Sequence, residues 1–262
     1  MKIAIIGAGA MGGAIAEGLI KGNYIENENI IISDPSVETR KRFADRGITA
    51  TPSNQLAAQG AEVVCVVVKP WLVEQVLTGI RDVLDYEQQK LIVVAAGVKS
   101  ADINTWLNKE GKMIPTFLVI PNIAIAQLQS MTFIVPCDAA QPQHTEQVKA
   151  LFDSMGQSLL TDEQHLAAGT TLASCGIAYA MRYIRAASEG GVELGFKADE
   201  AKSIVMQTLR GAVELLEDSG LHPEAAIDLV TTPGGVTIKG LNEMEHAGFT
   251  SAVIRGLKAG AK

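Results

Sequence analysis

The sequence predicts two domains: an α/β domain with a mostly parallel sheet over residues 1–159, and an all-α domain over residues 160–262. Three observations carry this. Short, fully apolar runs alternate with segments of helical spacing throughout the first half. A glycine-rich loop sits between the first apolar run and the first helix. After about residue 163 the strand signal disappears, leaving only helical periodicity.

Residues 2–6, "KIAII", read as a buried strand, and "AIAEGLIKG" after them as a helix. Between them lies "GAGAMG", a G-x-G-x-x-G at Gly7, Gly9 and Gly12. The three glycines serve different ends. Gly7 makes a tight turn, Gly9 lets the main chain approach a pyrophosphate, and Gly12 lets helix and strand pack closely. The amides of Ala8, Ala10 and Met11 lie in the same loop, where a helix N-terminus attracts phosphate. Strand, loop and helix in that order are the context that makes the motif specific. The first domain is therefore of the dinucleotide-binding Rossmann type.

The alternation continues. "NIIIS" (29–33) is a strand, and 36–47 a helix closed by Gly47. "AEVVCVVV" (61–68) and "KLIVVAA" (90–96) are strands, with helices at about 71–83 and 100–108. "GKMIPTFLVI" and "SMTFIVP" extend the sheet, a helix near 142–155 is closed by Gly156, and "QSLLT" completes the domain. Strands apolar on both faces belong to a parallel sheet covered on both sides. Ligands then sit beyond the carboxyl ends of the strands. Ser33-Asp34, Val68-Lys69-Pro70 and Ala95-Ala96-Gly97 become candidates on that ground. Asp34 follows Gly12 by 22 residues, where an acid usually takes ribose hydroxyls. Ser33 stands beside it, and Arg40, Lys41 and Arg42 follow within two helical turns, so the choice between NADH and NADPH stays open at this point.

Composition bounds the rest. Of 262 residues, 47% are hydrophobic but only 5% aromatic, so the core is aliphatic. The net charge is −7, and neither half is basic, which argues against a nucleic-acid partner. Cys65, Cys137 and Cys175 are far apart and odd in number, and the four histidines are equally scattered. No metal site is expected, and a reducing cytoplasm suits such thiols. Four glycines between positions 7 and 13 interrupt the apolar start and its charged n-region is a single lysine, so no signal peptide is expected. No 18-residue apolar run without glycine or charge appears elsewhere, so no membrane span is expected.

In the second half, residues 163–195 are apolar around much of a helix and rich in Gly, Ala and Ser. A domain of this size has little interior in which to hide such a helix, so a partner subunit is expected to cover it in a two-fold homodimer. Residues 198–220 form an amphipathic helix closed by Gly220, Pro223 starts a short one, and "TSAVIRGLKAG" is the last. Between these lies "TTPGGVTIKGL" (231–241). Gly234 and Gly235 strip side chains from the start of a helix near Val236, leaving amides open to a small carboxylate, with the Thr237 hydroxyl beside them.

The stretch "HPEAAIDLVTTPGGVTIKGLNEMEHAGF" resembles the signature of the pyrroline-5-carboxylate reductase family. "IGAGAMGGAIAEGL", "VVVKP", "VVAAGV" and "IPN" are similar to further motifs of that family, and the likeness covers nearly the whole chain. The resemblance implies NAD(P)H-dependent reduction of 1-pyrroline-5-carboxylate to L-proline, the last step of proline biosynthesis, with NADPH favoured over NADH; a homodimer and a ring of dimers would look alike in this sequence. It implies that Thr237 hydrogen-bonds the imine nitrogen and that Gly234, Gly235, Val236 and Thr237 hold the carboxylate. Gly7, Ala8, Gly9, Ala10, Met11, Gly12, Ser33, Asn54, Val68, Lys69, Pro70, Ala95, Ala96 and Gly97 would line the dinucleotide. Two segments depart from the family pattern. "ASCGIAY" (173–179) stands where the family carries Ser-Gly-Ser-Gly-Pro-Ala-Tyr, and "FLVIPN" (117–122) lacks the arginine and methionine of Arg-Ala-Met-Pro-Asn. A related imine or hydroxyacid reductase with a different small acid is one alternative; enzymes of the hydroxyacid type commonly use a lysine on the first long helix, and residues 163–196 contain none. A dinucleotide-binding dimer without catalysis is the other alternative.

Overall fold

The computed structural model describes residues 1–261; Lys262, the last residue of the predicted helical domain, lies outside them. Eight strands form one sheet in the order β3-β2-β1-β4-β5-β6-β7-β8. They are β1 (Ile3–Ile6), β2 (Ile30–Ser33), β3 (Thr49–Thr51), β4 (Val63–Val66), β5 (Lys90–Val93), β6 (Thr116–Ile120), β7 (Ser130–Pro136) and β8 (Gly156–Leu160). Within this sheet, among the described residues, only the β6–β7 pair is antiparallel. The continuous apolar runs follow from cover on both faces. Ile3 and Ile5 point into one core with Leu19, Val148 and Leu151. Ala4 and Ile6 point into the other with Ala57, Leu77 and Ile103. The first core is closed by α1 (Ala10–Gly22), α2 (Val37–Ala44) and α6 (Pro142–Asp153), the second by α3 (Asn54–Ala58), α4 (Val73–Ile80) and α5 (Ser100–Leu107).

Two features differ from the sequence expectation. β3 and α3 were not foreseen: three half-exposed residues and a five-residue helix are too short to display a period. Gly156 does not close a helix. The helix ends at Asp153, and Gly156 opens β8 with φ +145°. A Cβ there would stand 2.2 Å from the main-chain oxygen of Ser130 and 2.4 Å from its nitrogen, so the β7–β8 pairing itself demands glycine. Gly156→Ala is expected to cost about 3 kcal/mol of stability, read as a lowered urea midpoint.

By internal contacts the chain forms two compact units, Met1–Ile177 and Ala178–Gly260. In the first, α7 (Leu166–Gly169) runs into a π turn at Thr170–Ser174, closed by a 2.9 Å bond from the Cys175 N–H to the Thr170 carbonyl. Gly169 lies flat on the Phe133 ring, where a Cβ would approach to 2.9 Å. The helix resumes as α8 (Gly176–Glu193). In the second unit come α9 (Ala198–Ser219), α10 (Pro223–Leu229), α11 (Val236–His246) and α12 (Phe249–Gly260). Gly220 caps α9 in the left-handed conformation, and Pro223 is the first residue of α10. Gly191 admits α9 against α8: a Cβ there would lie 2.9 Å from that of Ala201. Met181, Tyr183, Val192, Ile204, Val213, Val253 and Ile254 are exposed in the single chain.

Candidate dinucleotide and substrate sites

The carboxyl ends of β1, β2, β4 and β5 are level, with Ile6 paired to both Ser33 and Val66, and Val66 to Val93. The chain leaves β1 through Gly7 at φ +91°, where a Cβ would meet the Val67 carbonyl oxygen at 2.4 Å. Gly12 is tighter still, since its Cβ would lie 1.9 Å from the Gly7 oxygen. Gly9, the N-cap of α1, has nothing within 4 Å of an added Cβ and no side-chain capping bond. Two glycines are thus demanded by packing, and the third leaves open space before an uncapped helix start, beside Ala10 and Met11. That cradle fits a pyrophosphate.

At the end of β2, Asp34 is buried. Its Oδ2 accepts the Ala8 N–H at 2.8 Å and its Oδ1 the Ser36 N–H at 2.9 Å. The acid therefore braces the glycine loop against the start of α2. Ser33 Oγ donates to Asn54 Oδ1 at 2.7 Å, joining two sequence candidates that are 21 residues apart. They line a cleft of about 500 Å³ together with Pro35, Ser53, Leu72 and Val76. Leu72 and Val76 were missed from sequence. The signal was there, as a second apolar row beside the buried Val73, Leu77 and Ile80.

Val68, Lys69 and Pro70 follow β4, with Lys69 and Pro70 exposed. Ala95, Ala96 and Gly97 follow β5; Ala95 is buried, and Gly97 turns the chain at φ +79°. Ser100, which opens α5, is tied from across the unit by Glu163: its hydroxyl donates to Glu163 Oε2 at 2.6 Å. The two segments that depart from the family pattern also meet. Buried Asn122 accepts the Ala124 N–H at 3.0 Å and directs its amide toward the Ala173 carbonyl in the π turn at 3.5 Å. Burial pushes the Cys65 thiol up to about 12 and Cys137 up to about 11, so neither is a nucleophile at neutral pH.

Gly234, Gly235, Val236 and Thr237 lie in the second unit, at the tip of α11. Gly234 takes φ +73°, and Gly235 is an N-cap whose own N–H bonds back to the Thr232 oxygen at 2.9 Å. Among the described residues no side chain caps the helix. Val236 is 85% exposed and Thr237 is exposed. The first-turn amides and one hydroxyl thus face outward, an arrangement that accepts an anion.

Fold and loop together define the class: a dinucleotide-binding protein with a doubly wound nucleotide-binding unit and a helical second unit. Residues 163–262 match the family model described as pyrroline-5-carboxylate reductase dimerisation, and residues 2–97 the one described as NADP oxidoreductase, coenzyme F420-dependent. Pyrroline-5-carboxylate reductase 1 of Dictyostelium discoideum is 37% identical over 97% of this chain, which spans 48% of that relative's length. The pyrroline-5-carboxylate reductase of Pisum sativum is 33% identical, covering 99% of this chain and 93% of its own. Among solved structures, 1-pyrroline-5-carboxylate reductase from the human pathogen Streptococcus pyogenes is 31% identical, with TM-score 0.87 over 100% of this chain and 96% of that one. The chain belongs to the pyrroline-5-carboxylate reductase family. Among the described residues no helix is long and apolar enough to cross a membrane.

Proposed function

We propose that this protein reduces 1-pyrroline-5-carboxylate to L-proline, with NADPH as the preferred donor and NADH as the alternative. The observation that carries the reading is the bare, uncapped start of α11 behind Gly234 and Gly235, in a chain of this family. When bound, the reduced nicotinamide supplies a hydride to the imine carbon. The bare main chain at Gly234 and Gly235 lets the substrate carboxylate reach the open amides of Val236 and Thr237, the Gly235 N–H itself being held by the Thr232 carbonyl, and the Thr237 hydroxyl hydrogen-bonds the imine nitrogen. A cyclic imine is basic enough to be protonated in part near neutral pH, so no stronger acid is needed, and what remains is mostly positioning. Gly7 to Gly12 hold the pyrophosphate, Ser33 and Asn54 the adenosine ribose, and Val68 to Pro70 with Ala95 to Gly97 the nicotinamide half. Lys69 serves the cofactor rather than the proton transfer.

In this reading residues 1–159 serve the dinucleotide, and residues 160–262 serve dimerisation and substrate. The exposed apolar side chains of α8, α9 and α12 support a homodimer, which a ring of dimers would extend. The free thiols of Cys65, Cys137 and Cys175 suit a reducing cytoplasm. The test is to supply 1-pyrroline-5-carboxylate with NADPH or NADH and follow loss of cofactor absorbance together with proline formed. Turnover with a lower KM for NADPH is expected. Cofactor binding without turnover of the imine would overturn the assignment.

A further inference from the structure

An acid at the end of β2 ordinarily meets the adenosine ribose and turns away a 2′-phosphate. Here that acid is engaged elsewhere. Asp34 is 8% exposed, and both of its oxygens accept main-chain amides, from Ala8 and Ser36. What bonds the main chain of the cleft residue Pro35 instead is an arginine from inside α2. Arg40, whose N–H bonds the carbonyl of the N-cap Ser36 at 3.1 Å, folds its side chain back over the strand end. Its Nη1 donates to the Asp34 carbonyl at 2.7 Å and to the Pro35 carbonyl at 2.9 Å. Pro35 lines the cleft beside Ser33, Ser53 and Asn54.

The geometry of the guanidinium gives this arrangement its meaning. Nη1 carries two protons, and the two carbonyls take both. The Nε–H and the Nη2 protons have no partner among the described residues, and together they form the edge that grips a phosphate or carboxylate in two parallel bonds. The carbonyl anchors hold the head in place, so little side-chain freedom is lost when an anion arrives. The neighbouring cations are not equivalent. Arg42 lies 4.4 Å above the Phe43 ring, and its Nη2 lies 2.8 Å from the position of a Cβ on Gly13, which places it against α1. Lys41 is exposed and makes no hydrogen bond or ion pair among the described residues.

We propose that Arg40 sets the preference for NADPH, its Nε–Nη2 edge receiving the 2′-phosphate of the adenosine ribose at the rim formed by Pro35, Ser33 and Asn54. The proposal rests on the nicotinamide-dinucleotide part of the function above and not on the identity of the imine. A phosphomonoester carries about −1.5 to −2 at neutral pH. Beside the Asp34 carboxylate it would be repelled without a fixed cation, and Arg40 is the cation that the fold clamps there.

The test is equilibrium binding to the full chain, with no imine present. Calorimetry with 2′,5′-ADP and with 5′-AMP reads the phosphate alone, and fluorescence titration with NADPH and NADH reads the whole cofactor. Arg40→Ala is expected to weaken 2′,5′-ADP and NADPH about 30-fold and to leave 5′-AMP and NADH within about twofold. Arg40→Gln keeps amide protons for the carbonyl anchors and removes the charge. It is expected to show the same selective loss at an unchanged melting temperature, and Arg40→Lys a partial recovery. Equal weakening of NADPH and NADH in Arg40→Gln would make Arg40 a structural clamp only and overturn the proposal. Unchanged affinity for both would overturn it as well. Because binding is read without turnover, a protein inactive on the imine can still pass this test.

Discussion

Thr237→Ala is expected to lower kcat/KM for the imine about 100-fold, or about 2.7 kcal/mol of transition-state stabilisation, while dinucleotide affinity stays unchanged. The hydroxyl at stake has no structural duty. Thr237 is exposed at the second position of α11, and its side chain makes no hydrogen bond among the described residues. Alanine is the better helix former by several tenths of a kcal/mol, so the melting temperature should hold or rise slightly. The imine nitrogen gains an electron pair as hydride arrives, so a donor to it matters most in the transition state. The loss should therefore fall on kcat more than on KM. Thr237→Ser, which keeps the oxygen, should retain most of the activity. If Thr237→Ala turned over at the parent rate, the donor would have to be sought elsewhere, and the carboxylate cradle alone would remain at this tip.

The parts of this fold legible in the sequence were those whose physics repeats within a few residues. "KIAII" and "AEVVCVVV" announced strands covered on both faces, and both faces do carry cores. Gly7, Gly9 and Gly12 announced a turn and a helix start; Gly7 and Gly12 admit no Cβ, and Gly9 keeps the space before the helix open. What stayed hidden was pairing across the chain. Gly156 sits two residues past a helix C-cap in sequence, where a helix-closing glycine is natural. Only its neighbour Ser130, 26 residues earlier, reveals that it serves the sheet. Asp34 had the spacing of a ribose acceptor, yet its role follows from where the Ala8 and Ser36 amides point, and no periodicity encodes that. The meeting of Asn122 with Ala173 joins two segments 51 residues apart that looked like separate departures from the family pattern. The Gly234-Gly235 tip was visible because its signal, a helix start without a side chain to cap it, is local.

The largest effect is expected from the glycine loop, and there a pair of variants separates binding from folding. In Gly12→Ala the new Cβ would stand 1.9 Å from the Gly7 carbonyl oxygen and 3.3 Å from Val67 Cβ. The near atom is backbone in a loop fixed by a 2.7 Å bond from the Gly7 N–H to the Ser33 carbonyl and by Asp34 on Ala8, so it cannot step aside. Overpacking of this kind costs about 1–3 kcal/mol or more, and the loop that receives the pyrophosphate is the part displaced. Both the melting temperature and the affinity for either cofactor should fall, the latter by at least about 100-fold. Gly9→Ala should behave otherwise. Gly9 has φ −64°, within reach of alanine, and an added Cβ meets nothing within 4 Å. The protein loses no packing, so its melting temperature should stay within about 2 °C of the parent. The space that the Cβ enters lies in front of an uncapped helix start, where a pyrophosphate must approach the main chain closely. Affinity for NADPH and NADH should drop together by about tenfold or more. A Gly9→Ala protein that bound both cofactors at parental affinity would show that this space is not where the phosphates lie, whatever happened to Gly12→Ala.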